Sequence, residues 1–516
     1  MDPKHYDVVV IGAGLGGLSA AGYLARSGKK VLVLEHHSVP GGYAHEFRRG
    51  KFRFEVALHA MDGVTEGGWV YPVLADLGVL DQVEFHRLDP FYTAKFPDHE
   101  IKVSGDVNAY IKELKRNFPN EENGIERLFQ NLKQTEEEVK AFTAARSRGE
   151  NIPMADMPAK YPNLVLAMTQ SWDDYMSRFI RNEQLKAIIS ALWGYFGLPP
   201  KQLTGGGFAM MEASYLFHGA YYPEGGSFAI SKAIEKTIRE HGGEIAYNQT
   251  VTKIDVRGGL ASAVETHKGL RVTADLVVSN ASAPDTLVKM IGREHFPEKY
   301  LSKVDREKPA ASNLVVYLGL DCDVRKLGYK HHELMVSRTY DINESYDRMM
   351  RGDWDNVDFI ITNYGPVCKR ACPPGHSAIV IMCLATLDYE NQWGTGGDFE
   401  NYRQNFRYRE LKERAGNALI AQASKYIPNL RDHIIEREVA TPLTNIRYSL
   451  NPGGSIYGTE QTVGNMYGNR LSAKTPIENL VLTGAWVSGG GMSTALVSGR
   501  SSAGLALKFL NRSVAV

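Results

Sequence analysis

Cysteine is scarce in this sequence, whose 516 residues contain only Cys322, Cys368, Cys372 and Cys383. So few thiols, clustered in one part of the chain, cannot hold a protein of this length together by disulfides. The first run typical of a strand begins near residue 7, which leaves no room for a secretory signal ahead of it. We therefore expect reduced thiols and a cytoplasmic location.

The sequence also lacks an excess of charge of either sign. Lysine plus arginine number 59, as do aspartate plus glutamate, so no net field attracts nucleic acid or an anionic membrane. We expect no nucleic-acid partner. The hydrophobic content of 43% is ordinary for a globular protein, and the length predicts about two to four domains.

Long hydrophobic runs are missing as well. No uninterrupted apolar segment approaches the roughly 20 residues that cross a bilayer. Peripheral contact with the cytoplasmic face of a membrane stays open, because residues 161–168 and 192–198 carry apolar and aromatic side chains. Such segments either pack inside the protein or face lipid, and packing inside is the commoner outcome.

A glycine-rich turn stands between two short apolar runs near the start of the chain. The first run leads into the turn, a helix-like stretch follows, and the second run ends in Glu35. This order is typical of the βαβ unit that binds an adenine dinucleotide. Gly12 permits the tight turn, Gly14 lets the backbone approach the pyrophosphate, and Gly17 lets helix and strand pack closely. Glu35 accepts hydrogen bonds from the ribose hydroxyls.

A second glycine pair and the end of the chain indicate which dinucleotide binds. Gly41 and Gly42 precede a hairpin-like segment, and a buried strand ends at Gly484 before residues 488–493 open a helix. FAD extends past the pyrophosphate and needs close backbone beneath its ribityl chain. Free N–H groups at the start of the last helix would face the flavin edge where negative charge gathers on reduction. We therefore predict FAD as the cofactor, and a flavin that is easier to reduce.

These motifs, with the segments 222–227 and 242–245, resemble the phytoene desaturase and carotenoid isomerase flavoproteins of the amine oxidase-like superfamily. The resemblance spans nearly the whole chain. Residues 41–59 are most similar to the retinol saturase subgroup, which reduces one double bond of a conjugated polyene. The family pattern implies that the backbone of Val251 lies beside the adenine. Together, motif and resemblance predict cofactor contacts from Gly12, Ala13, Gly14, Gly16, Gly17, Glu35, His36, Gly41, Gly42, Val251, Gly484, Gly491 and Met492.

Two positions depart from the family pattern. Many relatives have an acid after the glycine that ends the last strand, whereas this chain has Ala485 and then Trp486. Arginine commonly follows the earlier glycine pair, whereas Tyr43 stands there. Without the acid, more of the cofactor contacts must come from backbone and water.

The cofactor motifs are scattered along the sequence, so the expected domain is discontinuous. We predict an α/β fold in which a Rossmann-type FAD-binding domain (GR2-like) accompanies an α+β substrate domain. The FAD-binding segments are predicted at 1–95, 220–290 and 435–516. A helical substrate subdomain is expected at 96–219, and an antiparallel sheet that forms the floor of a substrate cavity at 291–434.

Three side chains near the flavin motifs are candidate catalytic residues. His45 and His59 match the saturase-like pattern, and either could donate a proton because histidine titrates near neutral pH. The structural alternatives are a solvated turn for His45 and a packed, hydrogen-bonded ring for His59. Tyr448 is the third candidate, although tyrosines in this position are more often structural and can line the cavity with Tyr457 and Trp486.

No metal site is expected. Cys368 and Cys372 lack a second ligand pair at suitable spacing, and the neighbouring Lys369 and Arg370 would repel a cation. No second dinucleotide motif is present either, so electrons must come from, or go to, an external partner.

The predicted function is FAD-dependent reduction of a carbon–carbon double bond in a long apolar polyene, such as a retinoid or carotenoid. Desaturation and redox-neutral cis–trans isomerisation are alternatives that the sequence leaves open. More remote are an amine oxidase, which needs a polar clamp for its substrate, and a flavin-free module that binds lipid or prenyl groups.

Overall fold

The computed structural model describes residues 3–387 and 390–513. Its strands are β1 His5–Ile11, β2 Val31–Leu34, β3 Glu46–Arg49, β4 Phe52–Glu55, β5 Phe85–Arg87, β6 Tyr92–Lys95, β7 Glu100–Val103, β8 Tyr221–Pro223, β9 Glu244–Ala246, β10 Val251–Arg257, β11 Leu260–Thr266, β12 Arg271–Ser279, β13 Ser312–Leu320, β14 Glu333–Val336, β15 Phe359–Asn363, β16 Ser377–Ala385, β17 Ile434–Ala440 and β18 Leu480–Leu482.

The α-helices carry most of the remaining regular structure. They are α1 Leu15–Arg26, α2 Tyr71–Asp76, α3 Val107–Asn117, α4 Glu122–Ser147, α5 Met157–Lys160, α6 Pro162–Thr169, α7 Trp172–Met176, α8 Glu183–Ile189, α9 Gly205–His218, α10 Gly226–Glu240, α11 Glu298–Val304, α12 Ile342–Arg351, α13 Phe406–Ala423, α14 Pro442–Ser449, α15 Ala485–Ser488 and α16 Met492–Ser513.

The first sheet joins the two ends of the chain. Its parallel part runs in the order β9, β2, β1, β12, and β18 pairs with the end of β12, while β11 and β10 extend it antiparallel. Every residue of β2 is buried, as expected for a parallel strand covered on both faces. Ligands of such sheets bind beyond the carboxyl ends of the strands, which is where the glycine turn after β1 lies.

The second sheet has the order β17, β13, β16, β15, β14, β6, β7, with β14 and β6 parallel and the other pairs antiparallel. All residues of β13 and β16 are buried, and α13 packs against both strands. These two sheets confirm the predicted α/β class with an additional α+β region. The predicted FAD-binding segments end at residue 95 and resume at residue 435, and these borders fall at β6 and β17. Both strands belong to the second sheet. The alternation of apolar and polar residues along a strand does not tell which sheet the strand joins.

A buried carboxylate ties the segment 222–227 to the second glycine region. The side chain of Glu55 accepts hydrogen bonds from the backbone N–H of Ser227 at 2.8 Å and from its hydroxyl at 2.6 Å. Burial raises the pKa of Glu55, and these donors oppose that shift. The contact fixes the start of α10 against β4.

Helices α3 to α9 form the region that the sequence predicts as helical. Leu164 of α6, and Leu192, Trp193 and Leu198 beyond α8, are buried, so the two segments considered for lipid contact pack largely into the core. Among the residues that the structure describes, no helix is both long enough and apolar enough to cross a membrane.

Candidate active site

A cavity of about 1370 Å³ extends from the glycine turn after β1 to α4 and α9. Pockets for a single small ligand usually measure about 300–1,000 Å³. The larger volume here can hold a dinucleotide together with a second ligand. Its lining comes from both sheets, the helical region and the start of α16.

The two glycine motifs lie side by side at one part of the cavity. The N–H of Gly41 donates to the carbonyl oxygen of Ala13 at 2.7 Å, and Gly14 and Gly41 form an isolated parallel bridge. A Cβ atom on Gly42 would lie 3.2 Å from the Cα atom of Gly14. Both loops therefore present bare backbone to the cavity, as a pyrophosphate and ribityl chain require.

Glu35 lies at the end of β2 and lines the cavity with its neighbour His36. Its carboxylate accepts hydrogen bonds from the N–H of Ala13 at 2.5 Å and of His37 at 2.6 Å. Burial raises the pKa of Glu35, and these backbone donors oppose the shift. His36 contacts the hydroxyl of Thr250 at 2.7 Å, and Val251 follows in the cavity wall. The adenosine contacts predicted from the sequence are thus brought together.

The start of α16 faces the same cavity. Gly491 and Met492 line it, and the hydroxyl of Ser493 contacts the carboxylate of Asp62 at 3.3 Å. The first N–H groups of a helix have no partner within the helix and attract negative charge. The anion-stabilising edge predicted at Gly491 and Met492 thus borders the cavity, and its contact with a flavin stays a prediction.

Three of the predicted cofactor residues lie one layer behind the cavity wall. Ala13, Gly17 and Gly484 are not part of the lining. A Cβ atom on Gly17 would lie 2.0 Å from the carbonyl oxygen of Gly12, and one on Gly484 would lie 2.3 Å from the Oδ1 atom of Asn280. These positions shape the glycine turn, whereas Gly12, Gly14, Gly16, Glu35, His36, Gly41, Gly42, Val251, Gly491 and Met492 reach the cavity.

Asn280 is a cavity residue that the sequence reasoning did not select. It directly follows β12, and its amide group lies against the glycine turn: a Cβ atom on Gly14 would be 2.7 Å from its Nδ2 atom. Its position at the carboxyl end of a parallel strand is the signal that could have identified it. Together with the bare glycine backbone, this end of the cavity fits FAD.

His45 does not line the cavity. Its Nδ1 atom donates to the carbonyl oxygen of Gly42 at 2.5 Å, and its ring lies 5.3 Å from that of His37. Burial lowers the pKa of His45 to about 4, so its imidazole is neutral at physiological pH. The structure places this candidate proton donor behind the second glycine pair, as a support for Gly42.

Tyr448 lines the cavity but lies beside the adenosine contacts. Its ring packs edge-on against His37 at 5.2 Å, and the guanidinium of Arg447 lies over it. The side chain is 40% exposed. Tyr457 and Trp486 also line the cavity, and the Trp486 indole donates to the Oδ1 atom of Asn451 at 3.1 Å.

His59 faces a different, apolar part of the cavity. Its imidazole contacts the hydroxyl of Thr362 at 2.9 Å and the carboxylate of Glu333 at 3.3 Å. Among the apolar and aromatic cavity residues are Phe196, Met210, Met211, Tyr215, Met382 and Ile456. His45 and Tyr448 both pack against His37, whereas His59 pairs with side chains of the second sheet. Of the two candidate histidines, the structure brings His59 to the cavity.

A polar cluster lies where α4 and α9 reach the cavity. The carboxylate of Glu136 pairs with the ammonium group of Lys140 at 2.8 Å and with the imidazole of His218. All three residues belong to the lining, as does Trp69, whose side chain is 44% exposed. This part of the cavity therefore offers charge and hydrogen bonds, in contrast to the apolar wall near His59.

Outside the cavity, the described residues include one group of side chains whose ligand atoms are close enough to consider for a metal. Asp321, Cys322 and His433 place these atoms within 4.8 Å of one another. The imidazole of His433 already pairs with Asp321 at 2.8 Å, and Asp321 is exposed. Such a pair explains the cluster without an ion.

Comparisons with known proteins agree with this geometry. The sequence model described as flavin containing amine oxidoreductase matches residues 15–507. All-trans-retinol 13,14-reductase of Danio rerio is 26% identical over 509 residues, with 93% of this chain and 82% of the relative covered. Prolycopene isomerase 2, chloroplastic, of an Oncidium hybrid cultivar is 28% identical over 480 residues, with 89% and 76% covered.

The similarity to solved structures concerns the fold alone. A putrescine oxidase variant superposes with a TM-score of 0.65 at 12% sequence identity, with 98% of this chain and 100% of that chain covered. An oxidoreductase from Methanosarcina mazei gives a TM-score of 0.61 at 18% identity, with 96% and 99% covered.

Proposed function

We propose a function from the premise that the chain belongs to the flavin containing amine oxidoreductase family. The protein is an FAD-dependent enzyme that saturates one carbon–carbon double bond of a long apolar conjugated polyene. Retinoids and carotenoids are the substrate classes we consider. The relatives named as retinol reductases and prolycopene isomerases support this choice.

One observation carries the proposal: the glycine cradle, a set of apolar and aromatic side chains and the buried His59 all line a single cavity. When bound and reduced by an external electron donor, FAD would supply the hydride for such a reduction. The glycine backbone and Glu35 hold the cofactor, while Met211, Tyr215 and their neighbours bind the polyene by dispersion and exclude water. His59 lines the same cavity and is the proposed proton donor.

Redox-neutral cis–trans isomerisation is the second candidate. It is favoured by the relative named prolycopene isomerase, whose 28% identity is close to that of the retinol reductase. Desaturation would use the same cavity in the opposite direction. The direction depends on the reduction potential of the flavin and on the external partner that donates or accepts electrons.

An amine oxidase or a flavin-free lipid-binding module is less well supported. The cavity lining includes several methionine and aromatic side chains, which suit a polyene better than an ammonium group. The bare backbone at Gly14 and Gly42 suits a dinucleotide and would have no purpose in a module without one.

We further propose a cytoplasmic enzyme that touches a membrane peripherally at the cavity mouth. The exposed ring of Trp69 and the exposed, cavity-lining Arg500 support this location, since apolar and basic side chains favour an anionic lipid surface. When vesicles with anionic lipid are sedimented, the protein should be recovered with them in the pellet. Replacement of Trp69 by alanine should weaken this binding. Equal recovery of both proteins in the supernatant would contradict the proposal.

The function is tested by anaerobic incubation with chemically reduced FAD and a panel of retinoids, carotenoids and polyenoic acids. Loss of polyene absorbance with a mass gain of two hydrogen atoms supports reduction. A mass loss supports desaturation, and an unchanged mass with altered chromatographic retention supports isomerisation. Peroxide release with amines, or a colourless protein that takes up no FAD, would contradict the proposal.

A further inference from the structure

A histidine and a glutamate form a buried pair at the apolar part of the cavity. His59 is 6% exposed and Glu333 is 2% exposed. The Nδ1 atom of His59 lies 3.3 Å from a carboxylate oxygen of Glu333 and 2.9 Å from the hydroxyl of Thr362. Because Nδ1 faces the second sheet, the other ring nitrogen, Nε2, is left for the cavity that His59 lines.

The carboxylate of Glu333 is held from two sides. Its second oxygen accepts a hydrogen bond from the hydroxyl of Tyr195 at 2.7 Å. Glu333 and Thr362 are directly paired residues of β14 and β15, so both side chains point to the same face of the sheet. One oxygen is thus turned to Tyr195 and the other to His59, which fixes the imidazole between strand and cavity.

Glu333 brings a negative charge to this buried pair. Burial alone would raise the pKa of Glu333, but His59, His332 and the Tyr195 hydroxyl outweigh it and hold the pKa below its usual value. A carboxylate anion in a buried site stabilises a neighbouring cation. Among the described residues, the titratable or charged groups around His59 are Glu333 of β14, His332 just before that strand, Tyr195, Tyr364, Tyr215 of α9, and Asp62 of its own segment.

Tyrosine is a poor alternative proton donor here. Tyr195 and Tyr215 also line the cavity, but burial raises the pKa of both hydroxyls well above the usual value. The Tyr195 hydroxyl donates to Glu333, and the Tyr215 hydroxyl donates to the carbonyl oxygen of Ala60 at 3.1 Å. Both protons are therefore retained, whereas an imidazolium releases its proton near neutral pH.

Building on the proposed reduction, we propose that Glu333 is a positioning residue whose carboxylate orients the His59 imidazole and stabilises its cationic form, so that Nε2 of His59 delivers the proton to the alkene carbon next to the one that receives the hydride. The hydride brings the electron pair of the first new C–H bond. The two π electrons of the alkene form the second new C–H bond with the proton from Nε2. The electron pair of the broken N–H bond stays on the imidazole. A solvent proton restores the imidazolium, and the external donor supplies both electrons.

The first test needs no substrate. In holoenzyme with 13C-labelled histidine, the resonance of His59 is assigned with His59→Gln and followed against pH. Replacing Glu333 by glutamine keeps the shape and removes the charge, so we expect the proton affinity of His59 to fall by about tenfold or more. Thr362→Val is the matched control, because it removes the neutral partner on the paired strand and should change this affinity by less than about threefold.

The second test uses turnover. For Glu333→Gln we expect the alkaline limb of the rate profile to move to lower pH by about one unit, with KM for the polyene nearly unchanged. Glu333→Asp, which keeps the charge, should restore part of the shift. In deuterated water the wild type should place deuterium on one face of the product, and His59→Gln should lose this preference.

The outcomes separate the two proposals. An unchanged His59 titration in Glu333→Gln would overturn the role of Glu333 whatever the reaction is. A wild-type holoenzyme that reduces no polyene would overturn the proposed function even if the titration moves. If Glu333→Gln does not fold, as judged by its flavin content, Glu333→Asp carries the test, since shortening the side chain should still lower the proton affinity of His59.

Discussion

The Nδ1 atom of His45 donates a 2.5 Å hydrogen bond to the carbonyl oxygen of Gly42, directly behind the glycine pair that faces the cavity. This contact requires the neutral imidazole to carry its proton on Nδ1. His45 therefore supports the cofactor loop, and its neutral state links the stability of that loop to pH.

The first prediction concerns acid stability. Burial lowers the pKa of His45 from 6.5 to about 4. Between these two pH values the unfolded chain therefore binds a proton at His45 that the folded protein does not bind. The stabilisation is complete above the unfolded value and is lost as pH falls through the folded one. The amide of His45→Asn can also donate to Gly42 but does not titrate. As the pH falls, we therefore expect this variant to lose about 2 kcal/mol less unfolding free energy than the wild type.

Urea unfolding at about pH 7.5 and about pH 4.5 measures this difference. His295→Asn is the control, since that histidine is exposed and should leave the difference unchanged. Equal acid limbs for His45→Asn and the wild type would show that His45 does not contribute.

The second prediction concerns an unpaired acid in α9. Glu212 is 2% exposed, its Oε1 atom has no hydrogen-bond partner within the described ranges, and burial raises its pKa to about 8. A raised carboxyl pKa stabilises the protein below the unfolded value of 4.5, and this contribution is lost as pH rises through the folded value. Glu212→Gln should therefore gain about 3 kcal/mol over the wild type between about pH 5 and about pH 9.

Thermal and urea unfolding at both pH values check this gain. Glu137→Gln, at an exposed position of α4, is the matched control and should gain nothing. A parallel pH dependence of Glu212→Gln and the wild type would mean that Glu212 is ionised in the folded protein.

The cofactor end of the site could be predicted from the sequence because its requirements are local. A strand, a tight turn without side chains, a helix and an acid must follow one another in a fixed order, and residues 12–35 do so. The start of α16 was found for the same reason, since a glycine run before a helix is visible without any tertiary contact.

The apolar end could not be predicted because its contacts come from distant parts of the chain. His59 meets Glu333 only through the pairing of β14 with β15 and the packing of both against the segment after β4. Strand register sets which side chains share a face, and one sequence does not reveal it. The same holds for His45, whose proximity to Gly42 was predicted but whose side-chain direction was not.

The third prediction concerns Gly14. Its backbone angles, φ −66° and ψ 166°, suit any residue, but a Cβ atom would lie 2.7 Å from the Nδ2 atom of Asn280 at the cavity wall. Gly14→Val should therefore fold and lose most of its flavin, about a hundredfold in affinity. Flavin absorbance per protein, with circular dichroism to check the fold, measures the loss. Gly504→Val, where a Cβ atom meets nothing within 4 Å, should keep its flavin, and normal flavin content in Gly14→Val would refute the cofactor placement.

The last prediction concerns Asn280, whose amide contacts the backbone of the glycine turn and of Gly484. Asn280→Asp keeps the shape but places a negative charge where the pyrophosphate is expected, so like-charge repulsion should weaken FAD binding by about tenfold or more. Asn280→Ala removes the amide without adding charge and should weaken it less. Titration of the apoprotein with FAD, followed by quenching of flavin fluorescence, measures the FAD affinity of both variants.

Repulsion between charges is screened by salt, so the loss of FAD affinity in Asn280→Asp should shrink at high ionic strength while that in Asn280→Ala should not. Equal affinities of the aspartate and alanine variants at low salt would mean that the pyrophosphate lies away from Asn280.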